Sequence, residues 1–453
     1  MKKQIQNLLG GDVRQFGMIA TLIAIVLFFQ FMSGGTVLTA DNLMNVVTGN
    51  AYVLILAMGM VLVIIAGHID LSVGSVAAFV GIVVAKLTTE MGVNPILAAL
   101  AGLVVGIAVG SWQGFWVAKW GVPAFITTLA GMMIFRGANQ LVGKSTTVPV
   151  PEFFQTIGAG YMPDILPTFN LPTMILAVLA VAALAWNEFK KYRRAAAVAT
   201  KDNKPALWAP IVRTVVISAV IIWVMWTFAA GGRPGTGFPI AGVIVVVLAL
   251  VFNFISKRTI IGRSVYAIGG NRDAAALTGV RVQRTNFAVM CTSSTLAAIA
   301  IMVFMGRSTA SGPMDGQNWE LDAIAACFIG GASVWGGIGT IGGTMVGALV
   351  MAFLNNGLTL LGTGTGLTQV IKGLVLLLAV AVDVYSKRQG KRSLIGTFMN
   401  ARKNQTQIRE AEKAIKAGET PPAVPNTDTP LAEAVSDAPN VFDQTPGDAP
   451  AKE

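Results

Sequence analysis

Long apolar runs alternate along the chain with short polar or basic segments. Because a helix that crosses a lipid bilayer needs ~20 mostly apolar residues, this pattern predicts an all-α polytopic membrane protein with about 10–12 transmembrane helices. The runs are Gly17–Ser33, Ala51–Ala66, Val76–Leu87, Pro95–Val117, Val122–Leu141, Leu171–Trp186, Ile211–Ala229, Pro239–Ile255, Asn286–Met305, Ala323–Gly330, Ile338–Leu361 and Leu367–Val384.

The run Ala323–Gly330 is too short for an ordinary crossing, and it leads into the glycine-rich segment Gly330–Gly343. Irregular backbone at membrane depth occurs where it is enclosed by protein or lines a cavity. We therefore predict a broken or re-entrant helix here. The sequence leaves open whether Ala323–Gly330 crosses the membrane.

Lysine and arginine cluster in only some of the connecting segments. They precede the first apolar run, follow the last, and form two internal clusters within Lys190–Lys204 and Lys257–Arg284, whereas Gly34–Asn50 has none. Because basic residues favour cytoplasmic segments, both termini and both clusters are predicted to be cytoplasmic. On the other side, Gly34–Asn50 is predicted to be an outer loop. The proline-rich segment Thr146–Asn170 is predicted to be a second, ordered outer loop that suits an extracytoplasmic partner.

Composition agrees with a membrane protein. The 453 residues are 54% hydrophobic and only 12% charged, whereas a soluble domain has about 25% charged residues. The net charge of +11 arises at the ends of apolar runs, so it is an orientation signal and no nucleic-acid partner is expected. The 2 cysteines lie in apolar runs and there is 1 histidine, which favours neither a disulfide framework nor a metal site.

Two glycine motifs are similar to nucleotide-binding fingerprints without meeting their requirements. A phosphate loop needs a glycine where this chain has Ala138, ahead of Gly143-Lys144-Ser145. The dinucleotide spacing of Gly337, Gly339 and Gly342 follows no soluble strand. We therefore expect no cofactor to be bound by this chain.

The transmembrane domain is assigned to residues 1–396, with a cytoplasmic loop at residues 257–284. Composition changes after Gly396, and residues 397–453 are rich in Ala, Pro, Asp and Glu. Such a segment buries too little apolar surface to fold alone. It is predicted to be a disordered cytoplasmic tail.

The loop at residues 257–284 contains the signals of a short surface helix. Asn271 suits the N-cap, Asp273 falls in the first turn, and Gly279 can adopt the left-handed conformation that ends a helix. This helix is either a contact for a cytoplasmic partner or an ordinary solvated helix. The residues assigned to the contact are Gly270, Asn271, Arg272, Asp273, Ala274, Ala275, Leu277 and Gly279.

Polar and small residues within the apolar runs each have two interpretations. Asp70, a costly carboxylate near membrane depth, either caps the following helix or faces a substrate path. Asn355 and Asn356 either line a polar path or form hydrogen bonds between helices. The glycines at positions 102, 106, 110 and 114 form one stripe, which is either a close packing surface or a sliding surface for gating.

Four segments together resemble the permease subunits of bacterial ATP-binding-cassette (ABC) importers for monosaccharides, of the ribose, xylose and galactose type. The resemblance covers roughly Asn42 to Val384, and the additional pair of spans between Leu171 and Ala229 is similar to the xylose and multiple-sugar branch. The segments are Gly67–Ser75 (GxxDLSVGS), Gly121–Leu129 (GVPAFITTL), Gly262–Asn271 (GRxxYAIGGN) and Ile329–Thr344 (IGG through GGT).

The resemblance implies a subunit of a bacterial inner-membrane importer that performs no covalent chemistry. Two permease copies, as a homodimer, would form the pathway. A cytoplasmic ATPase would bind ATP and Mg and contact the helix near Asn271, and an extracytoplasmic binding protein would deliver the sugar. A neutral sugar suits uncharged polar groups, so the candidate pathway residues are Ser72, Gln113, Asn139, Gln140, Asn355 and Asn356. Asp70 is added to them as a carboxylate near membrane depth.

A self-sufficient secondary sugar transporter is the alternative. Such carriers usually couple to protons or sodium through ionisable residues within the membrane. Asp70 is almost alone in such a position in the predicted spans, which favours the importer subunit.

Overall fold

The described part of the chain is almost entirely helical. The computed structural model describes residues 13–166, 169–198, 208–232 and 235–388. Its helices are α1 (Val13–Met32), α2 (Ala40–Ile65), α3 (Val73–Thr89), α4 (Pro95–Ala118), α5 (Ala124–Gly143), α6 (Glu152–Ala159), α7 (Leu171–Val198), α8 (Trp208–Ala230), α9 (Ile240–Arg258), α10 (Ile260–Gly270), α11 (Arg272–Leu277), α12 (Val282–Ser308), α13 (Trp319–Ile329), α14 (Ile341–Leu360) and α15 (Thr365–Arg388).

Eight helices in the described ranges are long and apolar enough to cross a membrane: α2, α4, α7, α8, α9, α12, α14 and α15. α1 and α5 have 20 residues each, which at 1.5 Å per residue also spans about 30 Å of bilayer. The prediction of an all-α polytopic membrane protein is confirmed.

The bundle has two ends that can be told apart by their contacts. At the end that carries α11, called the α11 end, the Gly337 amide donates to Ile65 O at 2.9 Å, and Val334 N donates to Asp383 Oδ2 at 3.3 Å. At the opposite end, β1 (Val148–Pro149) pairs antiparallel with β2 (Ala310–Ser311) in a two-stranded ribbon. We call this the ribbon end.

Two helices begin inside the bundle and run to opposite ends. α3 has 17 residues and α13 has 11, so they are about 25 Å and 16 Å long and neither spans ~30 Å of hydrocarbon. α3 runs to the ribbon end, where Thr89 Oγ1 donates to Pro149 O at 2.7 Å. α13 runs to the α11 end, and the glycine-rich segment that follows it forms turns up to the start of α14. The predicted broken helix is therefore present.

The starts of α3 and α13 meet in the interior. A Cβ atom built on Gly74 would lie 2.1 Å from Gly316 O and 2.7 Å from Glu320 Oε2. Gly316 itself has a φ of +74°. Only a residue without a side chain permits this backbone approach.

The glycine stripe of α4 is a packing surface. A Cβ atom on Gly106 would lie 2.8 Å from Ala298 Cβ, and one on Gly110 would lie 2.7 Å from Cys291 Cα, both on α12. Backbone contact at this distance supplies dispersion energy that lipid cannot replace. Of the two interpretations, the structure supports close packing.

Several predicted boundaries were wrong. Residues from Ala40 to Asn50, predicted as an outer loop, are the first turns of α2. The run Val76–Leu87 belongs to the 17-residue α3, which begins inside the bundle and does not cross by itself. α10 was not predicted at all, because its apolar residues extend the pattern of α9. The predicted tail at residues 397–453 lies outside the described residues.

Candidate functional site

α11 is a capped helix on the surface of the α11 end. Asn271 Oδ1 accepts a hydrogen bond from the Ala274 amide at 3.0 Å, Asp273 lies in the first turn, and Gly279 has a φ of +86°. The cap, the acidic first turn and the left-handed terminator are those predicted from the sequence. Gly270, Arg272 and the other residues assigned to the partner contact lie in or beside this helix.

One apolar side chain of α11 projects into solvent. Leu277 is 90% exposed, whereas Ala275 on the opposite face is 4% exposed and packs on the protein. Beside it lies an open groove of about 520 Å³ between α10 and the start of α12, lined in part by Ile260, Ile261 and Arg284. An exposed leucine next to a groove is compatible with a protein contact, and the role of α11 as that contact stays a prediction.

A close backbone contact joins the end of α10, which leads into α11, to a membrane helix. Gly269 packs so closely that a Cβ atom would lie 1.7 Å from Ile65 O of α2 and 2.5 Å from Gly337 N. The Tyr266 hydroxyl, also on α10, donates to Gly339 O at 2.8 Å. The residues just before α11 therefore lie against the end of α2 and the segment between α13 and α14.

Three predicted pathway residues form one hydrogen-bonded group with Ser293 of α12, which we call the central cluster. Asp70 accepts hydrogen bonds from the Ser72 amide at 2.9 Å, from Ser72 Oγ at 2.6 Å and from Ser293 Oγ at 2.8 Å. Gln113 Nε2 donates to Ser72 Oγ at 2.7 Å. Three donors offset the cost of burying one carboxylate.

The N-cap of α3 is Ser72, so the prediction that Asp70 is the N-cap was wrong by two residues. The Asp70 carboxylate instead binds the amide of this N-cap residue, and Ser72 Oγ also accepts a hydrogen bond from Gln113 of α4. All four side chains of the central cluster are between 0% and 1% exposed. In this conformation the cluster fixes the start of α3 against α4 and α12, and its role in a substrate path stays a prediction.

Asn139 and Gln140 are adjacent in α5 but have different surroundings. Asn139 is 1% exposed and its Nδ2 donates to the carbonyls of Gly312 and Pro313 at 3.4 and 3.3 Å. It thereby holds the segment that leads into α13. Gln140 is exposed. Of the predicted pathway residues on α3, α4 and α5, Gln140 is the one that a solute can reach in this conformation.

Asn355 and Asn356 form hydrogen bonds between helices. Asn356 and Asn42 of α2 exchange two amide hydrogen bonds, both 2.9 Å long. Asn355 Nδ2 donates to Asn50 Oδ1 at 3.3 Å and to Asp322 Oδ2 at 3.4 Å. This is the second of the two interpretations offered by the sequence. Both side chains are partly exposed, so a contact with substrate stays a prediction.

The reciprocal Asn42–Asn356 pair should be measurable in a double-mutant cycle. Replacing either residue by alanine leaves the other amide without its partner inside the bundle. We expect a coupling between Asn42→Ala and Asn356→Ala of about 0.6–1.7 kcal/mol. The readout is the unfolding midpoint of the purified protein in mild detergent. Strict additivity of the two single changes would contradict the pair.

The sequence reasoning missed an ion pair inside the bundle. Lys372 Nζ of α15 lies 2.9 Å from Asp322 Oδ2 of α13, and the Asp322 side chain is 4% exposed. Glu320, two residues earlier, is also buried. The expectation that Asp70 is almost alone as an ionisable group was therefore wrong. The two residues are 50 positions apart, so no local sequence pattern indicates their pairing. The contact depends on how α13 and α15 pack.

Comparison with known proteins identifies the family. Residues 42–191 and 196–380 match a family described as "Branched-chain amino acid transport system / permease component". The chain belongs to this permease family. The match includes every candidate site residue named above, from the Asp70 segment through α11 to Lys372.

The permease chain is also similar to curated proteins over most of its length. It is 38% identical over 379 residues to the xylose transport system permease protein XylH of Escherichia coli (strain K12), covering 83% of this chain and 93% of that protein. The corresponding Haemophilus influenzae protein is 37% identical, with 83% and 98% covered. The ribose import permease protein RbsC of Escherichia coli (strain K12) is 31% identical, with 80% and 92% covered. No solved structure matches the chain significantly.

Proposed function

We propose that this chain is the membrane-spanning permease subunit of a bacterial inner-membrane ABC importer that carries a monosaccharide, xylose or a related sugar. The main support is the 38% identity to a xylose transport permease across nearly the whole permease region. The family description names branched-chain amino acids. The similarity to the named sugar permeases covers 92–98% of their own length, so a sugar is the better supported cargo.

The α11 end is proposed to face the cytoplasm. Basic residues are concentrated there: Lys190, Lys191, Arg193, Arg194, Lys257, Arg258, Arg263, Arg272, Arg281 and Arg284. Such residues are retained on the cytoplasmic side during membrane insertion. α1 begins and α15 ends at the α11 end, where Met18 lies next to Gly331 and Asp383 binds Val334. Both termini are therefore proposed to be cytoplasmic.

α11 is proposed to be the contact for a separate ATPase subunit, which would hold ATP and Mg while this chain holds no cofactor. The exposed Leu277 supports this role, as does the backbone contact of Gly269 with α2. ATP-driven movement of the partner would shift the permease between two conformations through this contact. At the opposite, ribbon end, a sugar-binding protein would deliver the cargo.

A second permease copy is proposed to complete the pathway. α15 has none of its most apolar stretch buried, and yet it carries the exposed Gln369. α5 likewise carries Arg136 and the exposed Gln140. Polar side chains on membrane-facing helices are stable against protein or water rather than lipid. A homodimer that encloses these faces would form a polar path from Gln140, Asn355 and Asn356, with the central cluster behind it.

The test is co-purification of the ATPase from the native membrane. Tagged wild-type chain, extracted in mild detergent, is expected to retain an ABC ATPase that mass spectrometry identifies. In Asp273→Arg/Leu277→Arg, two new charges occupy the contact, and we expect more than tenfold loss of the ATPase with normal amounts of permease. Repulsion and desolvation of the two new charges in the contact should cost several kcal/mol. This corresponds to about a hundredfold lower affinity of the permease for the ATPase.

A matched control makes the same chemical change elsewhere. Asp428→Arg/Leu431→Arg alters the same residue types in the tail and is expected to keep the ATPase. Absence of any ATPase from the wild-type preparation would contradict the importer assignment. Sugar uptake by the purified chain alone in vesicles would then favour the secondary transporter.

A further inference from the structure

The α7–α8 hairpin has a groove that no part of the proposed transport cycle uses. α7 and α8 pack together along their length, but only 17% of each apolar stretch is buried. Near the α11 end, the two helices enclose a groove of about 310 Å³. Its lining is mainly apolar: Ala185, Glu188, Phe189, Tyr192, Pro210, Ile211, Thr214 and Val215.

The groove lies at the boundary between apolar and basic sequence. α7 is apolar up to Trp186 and strongly basic after Phe189, so its last turns extend past the hydrocarbon region. Trp186 is 70% exposed and Trp208 is 41% exposed. Such aromatic side chains favour the level of the lipid headgroups. One part of the groove is therefore within reach of acyl chains and the other within reach of headgroups.

The charge at the groove is net positive. Glu188 is paired on both sides: Lys191 Nζ lies 2.7 Å from one carboxylate oxygen, and Arg213 donates to the other. With Arg193, the basic side chains that contact lining residues leave a formal charge of 3 − 1 = +2 against Glu188. Arg193 also stacks over the Phe189 ring at 5.9 Å, beside the apolar lining.

We infer that this groove binds an anionic phospholipid. One acyl chain would lie against Phe189, Ile211 and Val215. The phosphate would contact Lys191 and Arg193, which lie beside the lining residues Glu188 and Phe189. Basic pockets between membrane helices at the cytoplasmic side recognise anionic headgroups in this way. Charge complementarity selects this occupant over a zwitterionic lipid, and the apolar lining selects it over a free anion.

The experiment compares phosphatidylglycerol with phosphatidylcholine, each of palmitoyl-oleoyl composition, added to the delipidated full-length protein in detergent. Native mass spectrometry counts the bound lipids. We expect one phosphatidylglycerol per permease chain to bind at least tenfold more tightly than phosphatidylcholine. Because two basic side chains near a membrane surface together contribute about thirtyfold in affinity, the double change of Lys191 and Arg193 to Gln should abolish this preference.

Two further variants separate the groove from general electrostatic attraction. Ala185→Trp fills the groove without changing charge, and it should weaken phosphatidylglycerol binding at least tenfold. The double change of Lys403 and Arg409 to Gln removes two charges in the tail, and this variant should bind phosphatidylglycerol like wild type. Equal binding of the two lipids by wild type, or unchanged phosphatidylglycerol binding by Ala185→Trp, would overturn the proposal.

Discussion

Replacing Lys372 by methionine is expected to destabilise the permease by about 3–5 kcal/mol, because it leaves a buried carboxylate without its counter-charge. The Asp322 side chain is 4% exposed and lies 2.9 Å from the ammonium of Lys372. Its remaining contact is the Asn355 amide at 3.4 Å, too long to replace the ammonium. The measurement is the thermal unfolding midpoint of the purified protein, together with its yield as a monodisperse species.

A double variant distinguishes the lost pair from lost packing. Asp322→Asn/Lys372→Met removes both charges and retains the volume, so it should be more stable than Lys372→Met alone. The matched control is Lys86→Met, which breaks the Lys86–Glu90 pair, where the Glu90 side chain is 52% exposed. An exposed pair is worth about 0.2–1 kcal/mol. If Lys372→Met were no more harmful than Lys86→Met, the ion pair would have no structural role.

Replacing Gly110 is expected to have the other large effect. A Cβ atom there would lie 2.7 Å from Cys291 Cα and 2.9 Å from Met290 O. These are backbone atoms that cannot rotate away, so α4 and α12 must separate. We expect Gly110→Ala to cost about 1–3 kcal/mol, and the larger Gly110→Leu to prevent recovery of folded protein.

Gly49→Ala is the matched control for this second prediction. Gly49 lies within α2, and a Cβ atom there would meet nothing within 4 Å. Since alanine favours helix over glycine, the control should be neutral or stabilised by up to about 1 kcal/mol. Unfolding midpoints of the three variants against wild type decide the result. Undiminished stability of Gly110→Ala with slowed transport would instead support the sliding interpretation of the stripe.

Features that depend on neighbours in the sequence were predictable. The cap, first turn and terminator of α11 all lie between Asn271 and Gly279, because N-capping and left-handed termination act over three or four residues. Most of the membrane helices followed from apolar length alone, although apolar length also predicted a crossing at α3. The break after Ala323–Gly330 was visible because glycines replace the apolar residues that a continuous span needs.

Features that depend on packing were not predictable. Val73–Thr89 is as apolar as a crossing helix, and only the contact of Gly74 with Gly316 shows that it begins inside the bundle. The polar start of α2 was predicted as a loop, although Asn42 is satisfied by Asn356 far along the chain. A polar residue can lie in a buried helix when a residue far away in the sequence forms a hydrogen bond with it. That partner cannot be identified from a single sequence.

By itself, the sequence determined the class of this protein, its apolar spans, the asymmetry of its charges and the local structure of α11, because each of these is set by solvent preference or by contacts a few residues apart. Only the tertiary structure decided which residues far apart in the sequence contact each other. It joined Asp70 to Ser293, Asp322 to Lys372 and Gly269 to Ile65. Such pairings depend on the relative position of whole helices, which is the summed result of packing along their full length.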